Sequence, residues 1–169
     1  MQNPPLVVVM GISGVGKSSV GHAVADLLDV EYADGDDHHP QANIDKMSAG
    51  VPLDDDDRWP WLRSVGQWLA DRSAVGGVIS CSALKRSYRD VLRDAAPGVL
   101  FLHLEGDHDL IADRMAHRDH FMPVSLLESQ ERTLEPLGPD EHGWVYDITP
   151  TPEEIARHFL RDAGLEAAR

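Results

Sequence analysis

Residues 11–18 read GISGVGKS and follow at once on an apolar run, LVVVM at 6–10. That junction restricts the fold more than any other part of the chain. Five apolar residues without a polar interruption suit a strand buried on both faces, as in a parallel sheet. The eight residues after it match G-x-x-x-x-G-K-[ST] at every fixed position, and Lys17 to Leu28 carries Val20, Val24, Leu27 and Leu28 at helical spacing. Strand, glycine loop and helix in that order make a phosphate-binding P-loop. Gly11, Gly14 and Gly16 let the backbone turn its N–H groups inward, and the helix starting at Lys17 adds the positive end of its dipole. Lys17 is placed to reach the β- and γ-phosphates, and the Ser18 hydroxyl to ligate Mg²⁺. The expected nucleotide contacts are Gly11, Ser13, Gly14, Val15, Gly16, Lys17, Ser18 and Ser19, with a nucleoside triphosphate (ATP) and Mg²⁺ as the bound species.

The rest of the chain alternates strand and helix patterns. Strands are expected at Val30 to Ala33, Gly77 to Cys81, Val99 to Leu104 and Trp144 to Ile148. Helices are expected at Gln41 to Ala49, across the Leu62, Val65 and Leu69 stripe, at Leu84 to Ala95, Asp109 to Met115 and Ser125 to Leu134, and at Pro152 to Asp162 with Thr151 as N-cap. Strands separated by helices imply parallel pairing, right-handed crossovers and helices on both faces. The expectation is one α/β domain over 1–169: a three-layer α/β/α P-loop fold with a five-stranded parallel sheet.

Composition then excludes whole classes. A formal charge of −14, from 29 acids against 15 bases, argues against nucleic-acid binding, which needs Lys and Arg to neutralise phosphates. No apolar run approaches the roughly 20 residues of a membrane span, and MQNPPLVVV lacks the basic start of a signal peptide. Cys81 is the only cysteine, which fits a reducing cytoplasm.

Several P-loop branches lack their signatures here. There is no N-K-x-D guanine motif and no L-S-G-G-Q segment, and the third strand, GVISC, ends without the Walker B acid. Glu105, at the end of VLFLHLE, reads as an ordinary loop acid. The Mg²⁺ carboxylate must then come from elsewhere, and DGDDHHP, after the second strand, is the natural source. Ligands of open parallel sheets bind beyond the carboxyl ends of the strands, so this stretch faces the γ-phosphate. Asp36 is assigned as the base that orients an acceptor hydroxyl and takes its proton, and Asp34 as the metal carboxylate; the spacing alone also allows the reverse. His38 and His39 are adjacent and point opposite ways on an extended chain, so a shared transition metal is disfavoured, and His39 is assigned to a hydroxylated substrate.

The remaining candidates are cations. DDDDR at 54–58 reads as an acidic helix start with Pro60 in the first turn, followed by Arg58, whose guanidinium suits a carboxylate; Lys46 is a second candidate. Lys85 and Arg89 in CSALKRSYRD share a helix face at i, i+4 and are candidates for substrate or transferred phosphate, with a surface ion pair to Asp90 or Glu128 as the alternative for Arg89. In RMAHRDHFMP, Arg114 and Arg118 are also i, i+4. They suit a closing lid, Arg114 toward the nucleotide and Arg118 toward the transferring group, with His120 on the substrate side. The adenine base is expected near Thr149 to Pro152.

Taken together, GISGVGKS, DGDDHHPQANIDKMSAGVPLDDDDRWPWL, CSALKRSYRD, HLEGD, RDHFMP and SLLESQERTLEPLGPDE resemble, in order, the bacterial gluconate kinases of the shikimate/nucleoside-monophosphate-kinase-like P-loop group. The resemblance spans most of Gly11 to Glu141. It implies ATP-dependent phosphorylation of D-gluconate on its 6-hydroxyl by a P-loop kinase fold with a five-stranded core, a substrate-binding insertion at about 36–72 and a lid at about 114–137, and a homodimer. Asp119 departs from the glycine found in relatives before His-Phe, which bears on lid flexibility. Two other readings compete: a kinase for another small acceptor, shikimate-like or a nucleotide, and a nucleotide-binding regulator that hydrolyses ATP slowly.

Overall fold

The computed structural model describes residues 4–116 and 125–168. Its centre is β1 (Leu6–Met10), buried at all five positions, as its unbroken apolar sequence requires. Around it stand β2 (Glu31–Asp34), β3 (Gly77–Ser80), β4 (Leu100–Glu105) and β5 (Gly143–Asp147), in the order β2-β3-β1-β4-β5. Every pairing is parallel, with Val8 opposite Ile79 on one side and Phe101 on the other. The expected three-layer α/β/α architecture is therefore present. Helix α1 (Lys17–Leu28) packs on α7 (Pro152–Asp162), and α3 (Asp55–Asp71) packs on α4 (Arg86–Ala95). The remaining helices are α2 (Gln41–Ser48), α5 (His108–Ala116) and α6 (Ser125–Thr133). No described helix is long and apolar enough to cross a membrane.

Local chemistry accounts for the ends of these elements. Thr151 caps α7 by accepting from Glu154 N–H, as its sequence position suggests. Asp54 caps α3 in a capping box with Asp57, and Asp55, Asp56 and Asp57 fill the first turn, where the helix dipole favours acids. Pro60 lies in the second turn of α3, not the first as expected. The start of α4 also differs. Lys85 has extended dihedrals (φ −102, ψ 149) and is the N-cap, so the helix begins at Arg86 instead of Leu84. Lys85 and Arg89 consequently do not share a helix face, and their side chains go to separate places.

Between β2 and α2 the chain makes a single 3₁₀ turn, Gly35–His38, capped by Asp34, which accepts from Asp36 N–H at 2.9 Å. Gly35 is required there, because a Cβ on it would stand 2.2 Å from the carbonyl oxygen of Ser80. The Trp61 indole donates to the Gly35 carbonyl at 2.8 Å and fixes α3 against this turn. DGD is thus held between the end of β3 and the first turns of α3.

Candidate active site

The P-loop leaves β1 at the carboxyl edge of the sheet. Gly16 has φ +92, a backbone conformation that favours glycine, and a Cβ there would meet nothing within 4 Å. The loop is therefore open at that point, with room beside the backbone for a ligand. Gly11 plays another part: its N–H donates to Ser82 O at 3.3 Å, and a Cβ would stand 2.7 Å from Leu104 O. It supplies close packing and no free donor. Lys17 folds back over the loop, its Nζ donating to Gly11 O at 2.8 Å and Ile12 O at 3.0 Å. Burial pushes its pKa below the usual lysine value, while the carboxylates of Asp36 and Asp34 pull it up.

Facing the loop is a cleft whose walls include Lys17, Asp36, His39, Arg58, Ser82 and Gln130, over an apolar floor of Met47, Leu53, Trp61 and Leu84. Asp34 does not line it. Its carboxyl is pushed up by burial, against the hydrogen bond from Asp36 N–H and the charge of Lys17. His39 is buried, stacks on Trp61 at 4.1 Å and contacts the Asn43 amide at 3.2 Å. Burial, and then the charge of Arg58, push its pKa down to about 4, so it is a neutral imidazole. His38 turns away and bonds through Nδ1 to Ser64 Oγ at 2.7 Å. The two histidines have separate partners, and no group of three or more His, Cys, Asp or Glu among the described residues is arranged to hold a metal ion.

The cations divide three ways. Arg58 reaches the cleft and donates to the Tyr88 hydroxyl at 2.9 Å. Tyr88 in turn bonds to Asp55, which also accepts from Lys85 at 3.1 Å and lies 4.0 Å from Arg58. These hydrogen bonds from Tyr88 and Lys85 hold the Asp55 carboxyl below its ordinary range. Arg58 and Lys85 therefore converge on one carboxylate; Lys85 and Asp55 do not line the cleft itself but a neighbouring hollow that shares Leu53 and Arg58 with it.

Lys46, a substrate candidate in the sequence, is instead paired with Asp57 at 2.7 Å and does not line the cleft. Arg89, the other, is wholly buried in an ion pair with Glu141, at 2.7 Å from Nε and 3.2 Å from Nη2. It does not face the cleft. Its partner is neither Asp90 nor Glu128, and the pair is in the interior, not on the surface.

Arg114, near the end of α5, lines a second hollow with Val15, Gly16, Ser19, Ile148, Pro150 and Pro152, and approaches Ile148 O at 3.4 Å. This hollow borders the P-loop at Val15 and Gly16, shares no lining residue with the cleft, and takes in Pro150 and Pro152 of the stretch expected near the base. Arg118 and His120 fall outside the described residues. Ser82 and Gln130 in the walls of the cleft, and Trp61 in its floor, were missed from the sequence. A serine, a tryptophan and a glutamine on amphipathic or irregular stretches carry no spacing signal that would have singled them out.

Residues 13–160 match the family model described as shikimate kinase. The chain is 49% identical over 161 residues to the thermosensitive gluconokinase of Escherichia coli (strain K12), covering 90% of this chain and 86% of that one. Among solved structures, a sugar kinase from Janibacter sp. HTCC2649 superposes with a TM-score of 0.89 at 51% identity, covering 93% of this chain and 92% of the other. A gluconokinase from Sinorhizobium meliloti 1021 superposes with a TM-score of 0.87 at 48% identity, covering 97% and 94%. Open P-loop, facing acidic turn and paired cations thus occur in a chain that, along nearly its whole length, belongs to the gluconokinase family of shikimate-kinase-like P-loop kinases.

Proposed function

We infer that this chain phosphorylates D-gluconate on its 6-hydroxyl with ATP, giving 6-phospho-D-gluconate and ADP. The observation that carries the reading is one cleft bounded by the P-loop lysine Lys17, the acid Asp36 and the guanidinium of Arg58. A sugar acid needs all three: a donor site at one end, a base for the hydroxyl, and a cation for the carboxylate.

The 6-hydroxyl oxygen attacks the γ-phosphorus, its proton passes to Asp36, and the bond from phosphorus to the bridging oxygen of ADP breaks. Asp36 lines the cleft while Asp34 caps the turn beside it, which supports Asp36 as base. Lys17 neutralises charge on the transferring group. Arg58 and Lys85 take the gluconate carboxylate, the charge type they already share in Asp55, and neutral His39 hydrogen-bonds a hydroxyl. For Mg²⁺, Ser18 and Asp34 are the fitting donors: a hydroxyl at the exposed start of α1, and a half-buried carboxylate that burial makes reluctant to stay charged alone. When bound, Mg²⁺ spreads the phosphate charge.

Arg114 and the hollow beside Pro150 and Pro152 hold the nucleoside end. The insertion at about 36–72 is the acceptor side. The segment at about 114–137, with Arg118 and His120, closes over the reaction. A cytoplasmic homodimer completes the proposal.

The test is an ADP-release assay over gluconate, shikimate and nucleoside monophosphates, with the product identified. Turnover on gluconate, lowered about 10²–10⁴-fold in Asp36→Asn at unchanged ATP affinity, is the expected outcome. Turnover on shikimate and none on gluconate would overturn the reading. A fully active Asp36→Asn would move the base to another residue.

A further inference from the structure

Helix α6 touches the P-loop through a hydrogen bond that bridges 117 residues of sequence. Ser13 N–H donates to Gln130 Oε1 at 2.7 Å, and Ser13 is buried. The next residue, Glu131, pairs with His108 Nδ1 at 2.6 Å, at the first residue of α5. Consecutive residues of α6 thus hold it to the phosphate loop and to the start of α5, while Leu127, one turn earlier, is fully buried. Gln130 and Ser13 line the same cleft as Lys17 and Asp36, so their contact lies where the phosphate cradle and the acceptor site meet.

The side-chain chemistry suits that place. A carboxamide oxygen accepts from a backbone N–H without bringing negative charge beside a polyphosphate, as a carboxylate would. It also forms part of the wall of the cleft that Lys17 and Asp36 line. A kinase must keep water away from the γ-phosphorus, because water is a competing nucleophile at far higher concentration than any sugar acid.

We propose that Gln130 is a positioning residue for phosphoryl transfer. Its carboxamide latches α6 onto the Ser13 amide, seals the cleft between phosphate loop and acceptor, and so favours the gluconate hydroxyl over water. The proposal rests on the reaction inferred above.

Wild type, Gln130→Ala, Gln130→Met and Gln130→Glu test it. The measurements are 6-phosphogluconate formed per ADP released, KM for gluconate, and the MgATP dissociation constant by calorimetry. The Ala and Met variants both lack the acceptor, and Met keeps the volume. Each is expected to yield well under one phosphogluconate per ADP and to lose about 10–100-fold in kcat/KM for gluconate, as a small misplacement of reacting groups does. Their MgATP affinity stays within about threefold of wild type, the loss falling on the acceptor side alone. Glu keeps an acceptor for Ser13 N–H but sets a charge beside the phosphates, so it retains more of the coupling and weakens MgATP about tenfold. A Met variant with wild-type stoichiometry and gluconate KM overturns the latch. A wild-type protein that forms no 6-phosphogluconate overturns the reaction itself, which keeps the two failures apart.

Discussion

Arg58 and Arg89 are both arginines beside Tyr88 and its helix, and the fold uses them in opposite ways. Arg89 is 0% exposed, and each of its five N–H donors has an acceptor: the two Glu141 oxygens and the carbonyls of Ala83, Leu84 and Pro136. Arg58 has a single hydrogen bond among the described residues, to the Tyr88 hydroxyl, and its acid neighbour Asp55 is 45% exposed. A saturated guanidinium fixes geometry and has nothing left for a ligand. An undersaturated one at the edge of a cleft is a binding group in waiting. The acids follow suit. Burial would raise the Glu141 pKa, but the bonds from Arg89, Gly138 N–H and Arg93 hold it at about 2.

Breaking the saturated pair gives the largest expected effect. Arg89→Ala leaves Glu141 buried without its main partner, and such a loss costs about 3–5 kcal/mol of stability. Denaturant unfolding measures it, and the loss appears with or without gluconate. Arg58→Ala is expected to do the reverse. Loss of a charged hydrogen-bonding partner, about 1.5–3 kcal/mol, raises KM for gluconate roughly 10–100-fold while the unfolding midpoint moves little. Arg58→Lys recovers part of the binding, because an ammonium keeps the charge but not the two-pronged geometry. Equal stability losses in the two alanine variants would erase the distinction drawn between them.

Each arginine has a neutral histidine near it, which makes the contrast visible in pH. His39 lies by Arg58 and His103 by Arg89, and burial first, then the neighbouring charge, pushes both down to about 4. Below pH 6.5 the unfolded imidazoles take protons that the folded ones refuse until about pH 4. The unfolded state then binds more protons, so stability falls as pH drops through that window. Both nitrogens of buried His103 lack a partner among the described residues, so the fold gains no hydrogen bond from its ring. His103→Phe is expected to flatten the slope between pH 6.5 and about 4 by up to ~1.4 kcal/mol per pH unit at unchanged gluconate KM. His39→Phe flattens the same window and also raises that KM.

The same contrast marks what could be read from the sequence. GISGVGKS, its strand and its helix were legible because their signal is local: fixed spacing, an unbroken apolar run, and helical periodicity. DGD was legible by position, since it ends a strand of a parallel sheet. Which arginine serves the fold was not legible. The partner of Arg89 is 52 residues away in the chain, whereas a scan of near neighbours meets Asp90 first. Lys85 and Arg89 looked like one helix face because the periodicity ran on to Leu84, but the backbone is extended at Lys85 and separates them. Gln130 was invisible for the same reason as Glu141: its significance comes entirely from a contact 117 residues distant.

Lys46 tests the comparison from its weak end. It lies, as Arg58 does, in the segment 36–72 proposed as the acceptor insertion, and it has a short ion pair, as Arg89 does, at 2.7 Å to Asp57. Its side chain is 40% exposed, however, and it does not line the cleft. If saturation inside the protein were decided by distance alone, removing Lys46 should resemble removing Arg89; if membership of the insertion decided ligand binding, it should resemble removing Arg58. Burial and access decide both, so Lys46→Ala should resemble neither. Water solvates the Asp57 carboxylate that remains, and Asp57 still completes the capping box with Asp54. The unfolding midpoint is expected to shift by at most about 2 °C, and KM for gluconate to stay within about twofold of wild type. A tenfold rise in that KM would bring Lys46 back to the acceptor site and show that its pairing with Asp57 is released when gluconate binds.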